Sequence, residues 1–300
     1  MICMPVTVPY VGTLCSPNDN RKHPALILLG GSEGGDSQAK VAESFAAQGY
    51  VVTSVAYFGA PGTQRALVNV PVETVGHAID ALVARRDVDA AKIGIMGGSK
   101  GGELALLAAS VYPQIKAVVA MVPSPFAYMG LNANNYPEGC SWTYKGAPLA
   151  CVPADRRAGQ VLGMAFSSGK PVALRPLYDA SRLADPNVTA AAMFHLENIA
   201  GPVLCLAAAD DQLWPSPAQC DTAMAYLKAH GHPYADREIV YPNAGHTFMS
   251  GLRGAQYAVT SFPLGGGMSM ALGGTPEGDA AAARSAVATI GQFFATALGT

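Results

Sequence analysis

The stretch Lys92-Ile-Gly-Ile-Met-Gly-Gly-Ser-Lys-Gly-Gly-Glu-Leu-Ala-Leu-Leu-Ala-Ala-Ser110 decides the expected fold. Lys92 to Met96 is a short apolar run of strand type, and Gly101 to Ser110 has the Ala- and Leu-rich composition of a helix. Between them stands Gly97-Gly98-Ser99-Lys100-Gly101, a G-x-S-x-G element. A strand turning sharply into a helix on such a sequence holds its serine in strained backbone, with the hydroxyl raised at the strand end. Glycines at 97 and 101 let the chains approach, and the helix N-terminus aims amides at developing negative charge. Phosphate-binding alternatives fail in detail: the order here is Ser-Lys-Gly rather than Gly-Lys-Ser/Thr, and Gly30 to Gly35 do not satisfy G-x-G-x-x-G. Ser99 is therefore the candidate nucleophile. Lys100 is expected to point its side chain away from the chemistry.

Outward from this element, strands and helices alternate. Upstream lie a strand at Ala25 to Leu29, a helix at Ser37 to Gln48 stopped by Gly49, and a strand at Tyr50 to Tyr57. Apolar residues at 72, 75, 78, 79, 82 and 83 then predict a helix from Val72 to Arg86. Downstream, Ile115 to Val122 is a strand, after which proline, glycine and mixed polarity break the pattern until about residue 201. The alternation resumes with a strand at Pro202 to Ala209, a helix at Ala218 to His230 and a strand at Arg237 to Tyr241; an alanine-rich helix, Ala280 to Leu298, closes the chain. Such βαβ units predict an α/β fold with a mostly parallel sheet and helices on both faces. The expected organisation is one domain over residues 1–300, with a cap inserted at about 123–201 and the α/β-hydrolase fold as its frame.

In that fold the acid and then the base follow the serine along the chain. The run Val203 to Ala209 ends in Asp210-Asp211-Gln212-Leu213-Trp214-Pro215, and Arg237 to Pro242 leads into Asn243-Ala244-Gly245-His246. Both groups leave strand ends on the edge of the sheet that carries Ser99. His246 is the expected base. Successive residues leaving a strand point in opposite directions, so Asp210 and Asp211 compete for the acid role. Asp211 is favoured because a proline-closed turn follows it, leaving Asp210 to brace the loop. Acyl transfer also needs two N–H donors for the tetrahedral oxyanion. These are expected at Lys100 and in the loop Gly30 to Gly35, at Ser32 or its neighbour Glu33. Gly31, Glu33 and Trp214 are the expected substrate contacts.

Composition narrows the function classes. The 300 residues are 50% hydrophobic and 13% charged, with 33 glycines and 22 prolines, which suits a large core covered on both faces and many loops. A formal net charge of −2 offers no polybasic surface for nucleic acid or anionic lipid. No apolar run has the length of a membrane span, and Met1 to Val11 lacks the charged start of a signal peptide, so a cytoplasmic location is expected. The six cysteines show no C-x-x-C pair and no zinc spacing, so no metal and no cofactor are expected. Cys140 to Cys151 is symmetric about Lys145-Gly146. A two-residue hairpin turn there would pair 144 with 147 and, by steps, 140 with 151. A disulfide between them would argue for a secreted or periplasmic protein; two reduced thiols are the alternative.

Gly98-Ser-Lys-Gly-Gly-Glu-Leu-Ala-Leu106, Asp210-Asp-Gln-Leu-Trp214 and Tyr241-Pro-Asn-Ala-Gly-His246 resemble the C-terminal domain family of acyl-CoA thioesterases and bile acid-CoA:amino acid N-acyltransferases. Tyr144-Lys145-Gly146 and Gly273-Gly274-Thr275-Pro276 fit it as well, and the similarity spans roughly residues 22 to 298. The resemblance implies a Ser99, Asp211 and His246 triad hydrolysing acyl-CoA thioesters. Members that transfer the acyl group to an amino acid characteristically use cysteine, so a serine implies hydrolysis. Dienelactone hydrolases and small carboxylesterases share the same scaffold, which keeps a plain ester substrate and acyl transfer as alternatives. For a CoA substrate, Lys145, Arg156, Arg157, Lys170, Arg175 and Arg182 are the cations available in the cap, and Thr247 to Gly278 is a candidate acyl-pocket lining.

Overall fold

The computed structural model describes residues 1–19, 21–253 and 259–299, and in it the strand residues sort by parity. Ala25, Ile27, Leu29, Ile95, Val118, Ala120 and Cys205 belong to one buried cluster, while Leu26, Leu28, Met96, Val119, Leu204 and Leu206 belong to another. A strand buried on both faces needs apolar residues at every position, which is why these segments read as unbroken runs.

The main sheet has eight strands: β1 Ile2–Val6, β2 Gly12–Ser16, β3 His23–Leu29, β4 Val51–Val55, β5 Val88–Gly98, β6 Ile115–Met121, β7 Val203–Ala208 and β8 Arg237–Tyr241. Their order across the sheet is β1-β2-β4-β3-β5-β6-β7-β8. From β4 to β8 every neighbouring pair is parallel; β2 joins β4 antiparallel, and β1 joins β2 antiparallel at the edge. The helices are α1 Ala39–Ala46, α2 Glu73–Val83, α3 Lys100–Val111, α4 Arg156–Phe166, α5 Arg175–Ala184, α6 Pro186–Ala191, α7 Ser216–Ala229 and α8 Pro276–Leu298. One face of the sheet is covered by α2, α3 and α7, the other by α1 and α8.

Local chemistry sets the helix ends. The Thr275 hydroxyl accepts the Gly278 amide at 3.0 Å, Pro276 occupies the first turn, and Gly299 closes α8 in the left-handed conformation. Phe45 of α1 meets Phe294 of α8 edge-on, with ring centroids 6.2 Å apart. Each such buried ring contributes about 1.5–3 kcal/mol relative to its exposed state. Among the described residues no helix is long and apolar enough to cross a membrane.

The β1–β2 hairpin is absent from the sequence expectation, because Pro5 and Pro9 spoil the alternation that marks a strand. An edge strand tolerates proline, whose missing N–H faces away from the ladder. Cys3 and Cys15 stand directly opposite each other in this hairpin and are bonded. At the other cysteine pair, Lys145 and Gly146 have positive φ, and Tyr144 pairs with Ala147 as the two-residue turn requires. The ladder, however, reaches only Thr143–Pro148, and Cys140 pairs instead with Met129. Cys140 and Cys151 are nevertheless joined by a disulfide.

Residues 123–201 hold α4, α5, α6 and several two- to four-residue strands. They build a third buried cluster from Phe126, Tyr128, Val152, Leu177 and Tyr178, closed by Trp214 from the loop after β7. Within the Thr247 to Gly278 segment, residues 254–258 lie outside the described residues, and Ser261–Gly265 pairs antiparallel with Met268–Ala271.

Candidate active site

At the end of β5, Ser99 has φ +55° and ψ −123°, outside the regions that side-chain-bearing residues favour, and α3 starts at the next residue. The turn is this tight because Gly97 faces the Gly101 carbonyl so closely that a Cβ at 97 would collide with it. Backbone strain of this type clusters at functional sites.

His246 bridges the other two groups. Its Nε2 lies 2.9 Å from Ser99 Oγ, and its Nδ1 lies 3.0 and 2.9 Å from Asp211 Oδ1 and Oδ2. All three side chains are buried. The Asp211 carboxylate is oriented from behind: its Oδ1 also accepts the amides of Leu213 at 3.0 Å and Trp214 at 3.2 Å. Asp210 turns the opposite way, accepting the Gly274 amide at 2.9 Å and the Gln212 side-chain amide. Trp214 donates its indole N–H to the Val122 carbonyl at 2.9 Å and meets the His246 ring edge-on at 5.9 Å. The imidazole is thus held in position by one carboxylate and one indole.

The His246 loop has its own frame. Asp279, in the first turn of α8, accepts the Gly245 amide at 2.7 Å, one residue before His246. Burial raises the Asp279 carboxyl above the usual carboxylate range; the Gly245 bond opposes this and the Asp210 charge adds to it. Gly245 packs on the Gly273 carbonyl with no room for a Cβ.

The loop after β3 reaches the serine. A Cβ on Gly31 would stand 3.4 Å from the Ser99 Cβ and 2.7 Å from the Glu33 carboxylate; Ser32 is half-buried and Glu33 exposed. Tyr57, buried at the end of the β4 run, donates its hydroxyl between the carbonyls of Gly30 at 2.7 Å and Gly31 at 2.9 Å. Burial raises the Tyr57 phenol well above its ordinary value, helped by the Glu33 and Glu103 charges, so it stays a donor. Sequence reasoning missed Tyr57; its only local signal is an aromatic residue closing a strand beside the glycine loop.

As expected, the Lys100 side chain leaves the site. Its Nζ lies 3.1 Å from both Glu103 carboxylate oxygens, 2.8 Å from Ser141 Oγ and 3.2 Å from the Met129 carbonyl. Burial lowers the Lys100 ammonium and raises the Glu103 carboxyl, each opposed by the partner's charge. Glu103 also accepts the Trp142 indole N–H at 2.7 Å and the Tyr128 amide at 3.1 Å. Among the other histidines, His195 is exposed beside Glu197, while His23 and His232 are tied to Asp19 and Asp236. Among the described residues no group of three or more His, Cys, Asp or Glu is placed to hold a metal ion.

Such an arrangement can move a proton from the serine hydroxyl to the imidazole while the carboxylate fixes the tautomer. Residues 70–300 match the family model described as BAAT / Acyl-CoA thioester hydrolase C terminal. The chain belongs to this family. It is 25% identical over 292 residues to acyl-coenzyme A thioesterase 1 of Homo sapiens, covering 96% of this chain and 63% of that protein. It is 26% identical over 283 residues to acyl-coenzyme A amino acid N-acyltransferase 2 of Rattus norvegicus, covering 94% and 62%. The chain therefore spans about three-fifths of the length of these relatives. Among solved structures it resembles a Klebsiella pneumoniae protein classed as a dienelactone hydrolase, with TM-score 0.58, 18% identity and 98% of each chain covered. That likeness places the chain in the α/β-hydrolase fold.

Proposed function

We propose that the protein is a serine hydrolase that cleaves acyl thioesters or carboxylic esters through an acyl-enzyme on Ser99. The observation that carries this reading is the buried His246 bridge, 2.9 Å from Ser99 Oγ and 2.9 Å from the nearer Asp211 oxygen. Ser99 Oγ attacks the acyl carbonyl carbon as His246 Nε2 takes its proton. The oxyanion then faces the amides of Lys100 and Ser32, each such donor being worth roughly 3 kcal/mol in comparable sites. His246 returns the proton to the leaving thiolate or alkoxide as the carbon–sulfur or carbon–oxygen bond breaks, and the acyl group stays on Ser99. Water repeats the cycle: His246 takes its proton, the hydroxide adds, and the acid departs as Ser99 recovers its hydrogen. This route uses no metal and no cofactor.

Family membership puts acyl-CoA thioesters first among substrates, with plain esters second and transfer to an amine third. The half-buried Arg175, whose Nη1 donates to the Asp211 carbonyl at 3.4 Å and whose Nε lies 3.6 Å from Asp179, is the cap cation this reading assigns to an anionic substrate. In this reading residues 1–300 act as one hydrolase domain, and residues 123–201 cap it. The two disulfides favour an oxidising compartment over the cytoplasm.

The deciding experiment is a steady-state comparison of palmitoyl-CoA, acetyl-CoA and p-nitrophenyl butyrate, with Ser99→Ala as control and with glycine or taurine added in a parallel set. A higher kcat/KM on a CoA thioester supports the thioesterase reading, and preference for the nitrophenyl ester makes the protein a carboxylesterase. Amide product in the glycine or taurine set assigns it to acyl transfer. Full turnover by Ser99→Ala defeats all three.

A further inference from the structure

Two loops would supply the oxyanion donors, and both lean on one side chain. The first loop, Gly30 to Gly35, is gripped through its Gly30 and Gly31 carbonyls by the Tyr57 hydroxyl. The Tyr57 ring packs against the indole of Trp142, with centroids 5.7 Å apart. The second donor is the Lys100 amide at the start of α3. One turn along that helix, Glu103 receives the Trp142 indole N–H at 2.7 Å, and Lys100 itself bonds the Glu103 carboxylate and the hydroxyl of Ser141, the neighbour of Trp142. Trp142 is completely buried, so neither contact is diluted by water.

The strand that carries this indole is itself secured. Trp142–Tyr144 pairs parallel with Val70–Pro71, and Ser141 Oγ lies 3.0 Å from the carbonyls of Tyr128 and Met129. Immediately before Ser141, Cys140 is bonded to Cys151. Residues remote in sequence from both donor loops thus fix the surface on which those loops rest.

We infer that Trp142 is a positioning residue for the oxyanion hole: it sets the spacing between the Ser32 and Lys100 donors, and the Cys140–Cys151 disulfide fixes the strand from which it acts. The inference rests on the serine-hydrolase reading above. The effect of Trp142 passes through Tyr57 on one side and Glu103 on the other. Because oxyanion donors act on the tetrahedral state more than on the bound ester, the loss falls on kcat rather than KM.

The test is Trp142→Phe, which keeps a ring for Tyr57 but removes the N–H from Glu103. Four quantities are measured: kcat and KM on p-nitrophenyl butyrate, the affinity of an aryl boronic acid that forms a tetrahedral adduct on the serine, and the fraction of chains labelled by a fluorophosphonate. The expected result is a fall in kcat of roughly 10- to 100-fold, smaller than the ~10²–10³ for outright loss of a donor. Boronate affinity falls in parallel, KM stays within about threefold, and the labelled fraction stays at the wild-type level. A merely structural role would lower kcat and the labelled fraction together and leave boronate affinity unchanged, which overturns the inference. Wild-type kcat and boronate affinity in Trp142→Phe overturn it as well. Should that variant not fold, Cys140→Ser with Cys151→Ser leaves every brace side chain in place and takes over the same readouts. Lowered kcat at constant KM then supports the inference, and wild-type values defeat it. Failure of the parent reading looks different: Ser99→Ala would keep wild-type activity, and the fluorophosphonate would not label Ser99.

Discussion

Replacing Asp211 with asparagine changes one atom and should cost about four orders of magnitude in kcat. Oδ1 of Asp211 accepts two backbone amides, Leu213 at 3.0 Å and Trp214 at 3.2 Å. The amide oxygen of an asparagine must take that place, since an NH2 there would face two donors. Its NH2 then occupies the Oδ2 position, 2.9 Å from His246 Nδ1, while the oxygen at the Oδ1 position, 3.0 Å from Nδ1, stays engaged by its two backbone amides. Facing a donor, Nδ1 becomes the acceptor and the ring proton moves to Nε2, which lies 2.9 Å from Ser99 Oγ. An imidazole with its proton on Nε2 cannot accept the serine proton. The same tautomer reversal in a serine protease lowers kcat about 10⁴-fold, or roughly 5 kcal/mol of transition-state stabilisation. The assay is steady-state hydrolysis of p-nitrophenyl butyrate by Asp211→Asn and Asp210→Asn side by side, with thermal unfolding to show that both fold. Asp210→Asn keeps an oxygen for the Gly274 amide and should stay within about threefold of wild type. The reasoning is refuted if Asp211→Asn stays within tenfold of wild type, or if Asp210→Asn is the more damaging of the two.

Tyr57→Phe removes the hydroxyl shared by the Gly30 and Gly31 carbonyls; stability should fall by about 1–3 kcal/mol and kcat by roughly tenfold, read from chemical denaturation and the ester assay. Gly97→Ala drives a Cβ into the Gly101 backbone carbonyl and should cost about 3 kcal/mol or more, whereas Gly291→Ala in α8, with open space around the new Cβ, should stabilise by roughly 0.5–1 kcal/mol. Chemical denaturation midpoints check that pair. Glu238 on β8 is pushed up to about 7 by burial and by the neighbouring Asp221 carboxylate. The folded state therefore holds a proton that the unfolded chain releases near pH 4.5, so this contribution is complete below that pH and is lost as pH rises through about 7. Thermal midpoints across that window should show Glu238→Gln gaining on wild type as pH rises, and a constant difference between them would contradict the assignment.

How much of this was legible in the sequence depends on how local each interaction is. The Ser99 turn is spelled out within ten residues: an apolar strand, small residues at 97 and 101, and a helix. The acid loop is nearly as local, since Asp211 differs from Asp210 in accepting the amides two and three residues ahead of it. The order of the acid and base loops along the chain, each after an apolar run, placed His246 without further information. Tyr57, Trp142 and Glu103 were invisible by the same logic. The contacts that tie them together and to the glycine loop join residues 26 to 85 positions apart, and each alone reads as an ordinary core aromatic or a stray carboxylate. The β1–β2 hairpin escaped because its outer strand is an exposed edge, where neither alternation nor the exclusion of proline is enforced. The 123–201 segment reads as irregular because its helices are short and bury little; α4 buries only Leu162.

The two aspartates that do not touch His246 matter because they fix the loops that do. Asp210 takes the Gly274 amide, Asp279 takes the Gly245 amide, and between them Gly273 crosses the Asp210 carbonyl while Gly245 crosses Gly273. The Asp211 loop, the His246 loop and the turn before α8 therefore form one knot in which backbone crosses backbone at Gly273 and Gly245, with the Asp210, Gln212 and Asp279 side chains packed against it. A knot of this kind has little room to relax, so the distance from Asp211 to His246 is set by backbone contacts before either side chain chooses a rotamer. The nucleophile turn is built the same way, with Gly101 packed on the Gly30 carbonyl and Gly97 on Gly101. Both halves of the site thus achieve close spacing through glycine contacts within the sheet's own loops. What residues 123–201 add through Ser141 and Trp142 is a set of contacts to Lys100, Glu103 and Tyr57; in the proposed mechanism these hold the separation between the donor loops and so bear on the transition state rather than on the triad.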